Sequence, residues 1–129
     1  MAIEAPNPHF ARIGGAPAVR RLVDAFYRRM EELPEAAGIR AMHGDDLTEI
    51  KAVLELYFVE WLGGAKDYSA RRGPPRLRAR HLHFSIGVAE RDAWMTCMRG
   101  ALGEVVTDAE LRHELEGAFL RIASAVVNR

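Results

Sequence analysis

The residues with the richest chemistry lie between Arg76 and Trp94, in the run R-L-R-A-R-H-L-H-F-S-I-G-V-A-E-R-D-A-W. Arg76, Arg78 and Arg80 alternate with apolar residues and lead into His81, which is followed by Leu82 and Phe84. An imidazole is thereby set where a cationic rim meets an apolar wall, an arrangement suited to an anionic ligand with a mostly apolar body. Imidazole is a common metal ligand and titrates near neutral pH, and guanidinium groups pair well with carboxylates. Trp94 stands further along, and an indole that enters a core brings one N–H donor in need of a partner. A lone histidine beside arginines is nevertheless more often a solvated or core residue than a ligand. The elements around the stretch must therefore decide.

The chain has 129 residues, 49% of them hydrophobic, enough for one domain with its own core and no disulfide. Its 18 basic and 18 acidic side chains cancel, so no net field draws it to nucleic acid or to an anionic membrane. Cys97 is the single cysteine, and the start M-A-I-E-A-P-N-P lacks the basic and apolar regions of a secretory leader. No apolar run approaches the roughly 18 residues of a membrane span. A soluble, cytoplasmic protein with a small-molecule or protein partner is expected. The sequence holds no Walker loop, no G-x-G-x-x-G, no zinc-helix histidine pair and no serine in a nucleophile elbow, which removes nucleotide, structural-zinc and triad chemistry.

Four long helices are expected to carry the site. Residues 1–13, with Pro6 and Pro8, read as an irregular arm, and 14–129 as the domain. After Gly14-Gly15, Pro17 suits a first helical turn, and Val19, Leu22, Val23, Phe26, Met30 and Leu33 give a buried stripe over 17–33. Tyr27 falls on the edge of that stripe, so its hydroxyl points either into a cavity or into water. A connector over 34–44 carries His43. Asp45-Asp46 offers a cap for a second helix over 46–62, whose wide apolar arc (Leu47, Ile50, Leu54, Tyr57, Phe58, Trp61) suits contact with other helices or with a bulky apolar ligand. Residues 65–75 show no period and end in Gly73-Pro74-Pro75, which reads as a loop. Leu77–Leu82 allows at most a short helical turn. Ser85 is placed to cap a third helix over 87–105, burying Ala89, Trp94, Cys97, Met98, Ala101, Leu102 and Val105. Thr107 and Glu110 form a capping box for a fourth over 108–127, burying Leu111, Leu115, Ala118, Phe119, Ile122 and Val126. No strand pattern occurs, so the fold class is all α.

Helices that enclose a cationic segment with one well-placed imidazole, and polar aromatics facing inward, fit a haem pocket. A haem needs one imidazole for its iron, cations near its two propionates and apolar walls for the porphyrin.

The same residues carry a family resemblance. I-G-G at 13–15, F-Y at 26–27, W-L-G-G at 61–64 and R-H-L-H-F with A-E-R-D-A-W-M-T-C-M across 79–98 follow one another as in the truncated haemoglobins, and the R-H pair followed by E-R-D-x-W is the most specific of these matches. The chain resembles group II of that family, a two-over-two helical sandwich, over nearly all of residues 10–127. The resemblance implies haem b, with His81 as proximal iron ligand and Arg80 beside a propionate. It implies Tyr27, Trp94 and the loop residue His43 on the distal side. Ile50 falls near the usual gate and Leu54 over the iron, with Tyr57 and Phe58 deeper, in a register that depends on a one-residue gap. Arg76, Arg78 and Tyr68 are further candidates for propionate contact, or solvated surface residues, and Phe84 belongs to the haem-facing wall.

Two departures stand out. His83 replaces the proline usual in the family and, two residues from His81, is expected toward solvent or the haem edge. At Ile50 there is no gate histidine. His9 and His113 match nothing and are expected to be exposed, and Cys97 reads as a small buried hydrophobe. The ligands implied are dioxygen, nitric oxide and carbon monoxide. Tyr27, Trp94 and His43 are expected to donate to bound oxygen, and hydrogen bonds of about 1.5 to 3 kcal/mol to a charged acceptor make its release slow. Slow release suits nitric oxide dioxygenation or peroxidase-like turnover with electrons from a separate donor. The other readings are a gas-binding or sensing globin without turnover and a haem-free interaction module. A monomer or homodimer is expected.

Overall fold

The computed structural model describes residues 9–129, and the rest of the expected N-terminal arm lies outside them. Its helices are α1 His9–Ile13, α2 Gly15–Glu32, α3 Ala37–Ala41, α4 Thr48–Trp61, α5 Asp67–Arg72, α6 Leu77–His81, α7 Val88–Val105 and α8 Ala109–Ala125, with a 3₁₀ turn at Pro34–Ala36. There is no strand among the described residues. The fold is all α, as the periodicity predicts.

The long helices form where an apolar stripe recurs at helical spacing. In α2 that stripe is Ala18, Val19, Leu22, Val23, Ala25, Phe26, Tyr27 and Met30, all buried. Leu33 ends the helix in an extended conformation (φ −82°, ψ 123°), the geometry that the following Pro34 imposes on its neighbour. Helix α2 packs on α4 and α7, and α7 packs on α8. The sandwich closes through Phe119 of α8, whose ring lies 5.1 Å from Phe58 and 4.8 Å from Trp61 of α4. Tight turns separate the elements. Gly63 follows α4 with φ 107°, and a Cβ on Gly64 would come within 2.9 Å of the Val59 carbonyl and of the Phe10 ring, so this Gly-Gly pair answers both a backbone and a packing demand.

Several local expectations are corrected. Residues 9–13 are helical rather than irregular, because α1 is tied to the end of α4 by Phe10 N–H donating to the Leu62 carbonyl (2.9 Å), with Ile13 buried. His9, expected to be exposed, is half-buried with its Nε2 3.3 Å from Glu114, whereas His113 is exposed. Within 65–75 a helix forms after all. Glu60 reaches from α4 to accept both the Ser69 backbone N–H (2.9 Å) and the Ser69 hydroxyl, a tertiary cap that no local period announces. The caps also differ. At α4 the N-cap position falls on Leu47 rather than on Asp45 or Asp46, with no side-chain cap bond, and Asp46 accepts the Thr48 N–H from one residue further out (2.9 Å). Helix α7 starts at Gly87, not at Ser85, with Glu90 accepting the Gly87 N–H (2.8 Å). At α8 the carboxylate of Asp108 accepts from Glu110 and Leu111, displacing the expected Thr107 box because an ionised acceptor one residue nearer is the stronger partner. Ala89 is exposed, and Trp94, Val105, Ile122 and Val126 are only half-buried.

Candidate functional site

A cavity of about 750 Å³ opens between α2, α4, α6 and α7, a volume within the range of about 300–1,000 Å³ usual for cofactor sites. The wide apolar arc of α4 finds its use here. Ile50, Val53, Leu54, Tyr57 and Phe58 all line the cavity, and Ile50 is left 37% exposed because it faces that space rather than another helix.

One wall is built on the long helices. Tyr27 is 3% exposed, its ring edge-on to Phe26 at 5.0 Å, and Phe26 in turn meets Trp94 at 5.0 Å. Trp94 also leans on Phe119, 6.0 Å between ring centres. Both Tyr27 and Trp94 line the cavity, and among the described residues neither the Tyr27 hydroxyl nor the Trp94 indole N–H has a hydrogen-bond partner. Burial pushes the Tyr27 phenol up to about 12, so it remains a neutral O–H donor throughout the physiological range. Of the two possibilities open for this tyrosine, the cavity holds.

His43 comes from the turn after α3, edge-on to Tyr27 with ring centres 5.7 Å apart. Its Nδ1 lies 2.8 Å from the Ile39 carbonyl, which can only accept. The proton is therefore on Nδ1, and in the neutral ring Nε2 is an acceptor. With Nδ1 engaged by Ile39, Nε2 is the His43 nitrogen left to the cavity, beside Tyr27.

The opposite wall is built on α6, a helix with no buried residue. His81 lines the cavity, and its Nδ1 sits 2.5 Å from the Leu77 carbonyl one turn back, so the same logic places the proton on Nδ1 and leaves the Nε2 lone pair available to a metal. Phe84 lines the cavity beside it, ring centres 6.5 Å apart, and His83 lines it as well, exposed to solvent with its ring 4.1 Å from Phe84. At the rim Arg80 donates to the carbonyls of Pro75 (2.9 Å) and Arg72 (3.2 Å), which fixes the guanidinium while leaving its other N–H donors for an anion. Tyr68 is buried on the cavity wall against Tyr57 at 5.4 Å, and the Tyr57 phenol is pushed up to about 12 by burial first, then by Tyr68 and Glu60.

Other expected rim residues lie elsewhere. Arg76 caps α6 in the left-handed region (φ 47°), exposed and outside the cavity wall, and Arg78 is turned away to donate to the Val127 carbonyl (2.6 Å). Arg72, Val53 and Leu77 line the cavity without having been singled out in the sequence, Arg72 because it sits in the six-residue helix that shows no period, and Ile122 and Val126, expected in the core, line it too. Cys97 is buried away from the site, its thiol pushed up chiefly by that burial.

The donor set suits a planar, anionic cofactor that brings its own metal. A bare ion would lack ligands, since no three His, Cys, Asp or Glu side chains gather to hold a metal among the described residues. An iron already ringed by four nitrogens needs only one imidazole. Arg72, Arg80 and Arg91 line the cavity and can pair with the cofactor's carboxylates; Asp46, Glu49 and Glu90 line it too, and most of the remaining lining is apolar or aromatic.

Comparison with known proteins agrees with this geometry. The family model described as bacterial-like globin matches residues 9–128. The chain is 35% identical over 115 residues to the group 2 truncated hemoglobin YjbI of Bacillus subtilis, covering 89% of this chain and 85% of that protein. Among solved structures, the group II 2-on-2 hemoglobin of Agrobacterium tumefaciens superposes with a TM-score of 0.90 at 39% identity, over 99% of this chain and 98% of that one. The cold-adapted truncated hemoglobin of Pseudoalteromonas haloplanktis TAC125 gives a TM-score of 0.91 at 32% identity, over 93% and 97%. No helix of the described residues is long and apolar enough to cross a membrane.

Proposed function

Because the chain belongs to the bacterial-like globins, as a group II truncated haemoglobin whose family binds small gaseous ligands through haem, we propose that it holds haem b with His81 as the axial ligand and takes up diatomic ligands beneath Tyr27 and Trp94. The haem, when bound, supplies an iron that coordinates dioxygen, nitric oxide or carbon monoxide. The chain's own residues do the rest. His81 presents its Nε2 lone pair because Leu77 holds the Nδ1 proton. Arg80 and Arg72 neutralise the carboxylates at the rim, and Ile50, Leu54 and Phe84 exclude water from the porphyrin faces. The observation that carries the reading is that one cavity is lined by a metal-ready imidazole and by two donors, on Tyr27 and Trp94, that have no partner among the described residues. Ultraviolet–visible spectra of the ferric, ferrous and carbon monoxide forms test it, together with His81→Ala. A protein that shows no Soret band after haem reconstitution, or a variant that keeps full haem and axial imidazole, sinks it.

Two donors aimed at one bound ligand favour retention over delivery. We therefore assign turnover, as nitric oxide dioxygenation or peroxidase-like reduction, above transport. In this role Tyr27 and Trp94 stabilise negative charge on the ligand, and neutral His43 is positioned to accept a proton. Electrons come from a separate donor. Nitrate formed over many turnovers from nitric oxide with a cellular reductant supports this assignment, and formation that stops after one equivalent rejects it in favour of gas binding alone.

A further inference from the structure

The wall that bears His81 has little apolar packing to hold it, Leu77 being the one α6 residue packed against the core. Helix α6 buries no residue, the turn behind it runs through exposed Leu82 and His83, and yet His81 must meet its metal in one orientation. What holds the segment is the end of the chain. The side chain of Asn128 spans the turn: its Nδ2 donates to the His81 carbonyl (3.2 Å) and to the Phe84 carbonyl (2.8 Å), and its Oδ1 accepts the Ile86 N–H (2.9 Å). The backbone of Asn128 donates to the Ile86 carbonyl as well (2.8 Å). Only one orientation of the amide satisfies two carbonyls and an N–H, so its assignment follows from its partners. On either side the clamp is extended. Arg78, in the turn before His81, donates to the Val127 carbonyl (2.6 Å), and Arg129 pairs with Glu90, which itself accepts the Gly87 N–H.

We propose that Asn128 is the positioning residue that makes His81, rather than His83, the axial ligand. The reasoning rests on the reading of His81 given above. The two imidazoles are two residues apart on a short exposed turn. Both line the cavity, and which of them meets the metal depends on whether the carbonyls of His81 and Phe84 stay where they are. The His81 carbonyl is held twice, by Asn128 and by the Phe84 N–H (3.0 Å), and with Phe84 fixed the ring of His83 stays packed on it at 4.1 Å. Released from Asn128, the turn is free to rewind by the small rotation that exchanges His83 for His81 as the imidazole offered to the metal. Partners that orient a metal-binding histidine commonly change metal affinity by about 10–100-fold when removed.

The test uses the haem-reconstituted protein and Asn128→Ala, Asn128→Asp, Asn128→Ala/His83→Ala and His81→Ala. Asn128→Asp keeps an acceptor for the Ile86 N–H but removes both donors, so it separates the amide's hydrogen bonds from its bulk. In both single Asn128 variants the iron–imidazole stretching band of the ferrous protein is expected to shift and broaden. Haem transfer to an apo-acceptor is expected to quicken by about tenfold. A second iron–imidazole band, from ligation through His83, is expected in the ferrous Asn128 variants and is lost in the Asn128→Ala/His83→Ala variant. In the apoproteins, amide exchange across residues 81–87 should accelerate while α2 and α7 remain protected. A wild-type protein without an imidazole-ligated haem overturns this inference together with the function it rests on. A wild type ligated through His81, with Asn128→Asp indistinguishable in band position and haem transfer, overturns the inference alone.

Discussion

The two walls of the cavity are built by different forces. The wall bearing Tyr27 and Trp94 rides on α2 and α7, helices whose buried side chains (Val19, Leu22, Phe26, Met98, Leu102) are at most 2% exposed. Its polar groups are placed by apolar packing, with Phe26 and Phe119 fixing the two aromatic planes. The wall bearing His81 has no buried residue in its helix and is held instead by directional hydrogen bonds from Leu77, Arg78 and Asn128. A rigid core suits donors that must stay aimed at a ligand of two atoms. A hydrogen-bonded strap suits an imidazole whose orientation, not its burial, determines the bond it makes.

That contrast can be broken at several points. The largest effect is expected from the two histidines: His81→Ala should abolish axial imidazole ligation and lower haem affinity by at least the 10–100-fold seen for lesser disturbances of metal sites, while His83→Ala in the wild-type background leaves the spectrum unchanged. Optical titration with haem checks both. Stability should follow the packing. Phe119→Ala, which removes the ring between Phe58, Trp61 and Trp94, is expected to cost about 3–5 kcal/mol. Leu82→Ala, on an exposed side chain of the other wall, should stay within about 0.5 kcal/mol. Urea unfolding of the apoproteins measures the pair, and equal costs would erase the distinction drawn between the walls.

Ligand retention sharpens the comparison next. Tyr27→Phe and Trp94→Phe each remove one donor, and at about 1.5 to 3 kcal/mol per bond each should speed oxygen release by roughly one to two powers of ten in stopped-flow mixing. An off-rate unchanged in the double variant would show that neither group touches the ligand.

The smallest effect is on pH. The phenols of Tyr27 and Tyr57 stand at about 12 in the folded chain against about 10 when unfolded. Between those values the folded state binds more protons, so stability is fully present below about pH 10 and declines as pH rises toward about 12. Urea midpoints near pH 9 and pH 11 should differ in that direction, less so in Tyr27→Phe. A flat profile would mean that these phenols are better solvated than their burial implies.

The amino-acid sequence by itself determined the four long helices, because the stripes of α2, α7 and α8 repeat over several turns and burying them outweighs local preference. It also determined the chemical types at the site, since His81, Tyr27 and Trp94 stand out as polar groups on otherwise apolar or basic runs, and their order matched a family pattern. Tertiary structure alone decided the rest. Helix α5 exists because Glu60 caps it from another element, so Arg72 and Tyr68 reach the cavity from a segment that reads as a loop. Arg76 and Arg78, equivalent to Arg80 by spacing, are directed elsewhere by a left-handed turn and by the Val127 carbonyl. The direction of the His43 hydrogen bond depends on the Ile39 carbonyl, and the setting of His81 depends on Asn128, 47 residues away. Hydrophobic periodicity is local and accumulates along the chain. A single hydrogen bond between distant residues leaves no period to read, and on the proximal side such bonds carry the geometry.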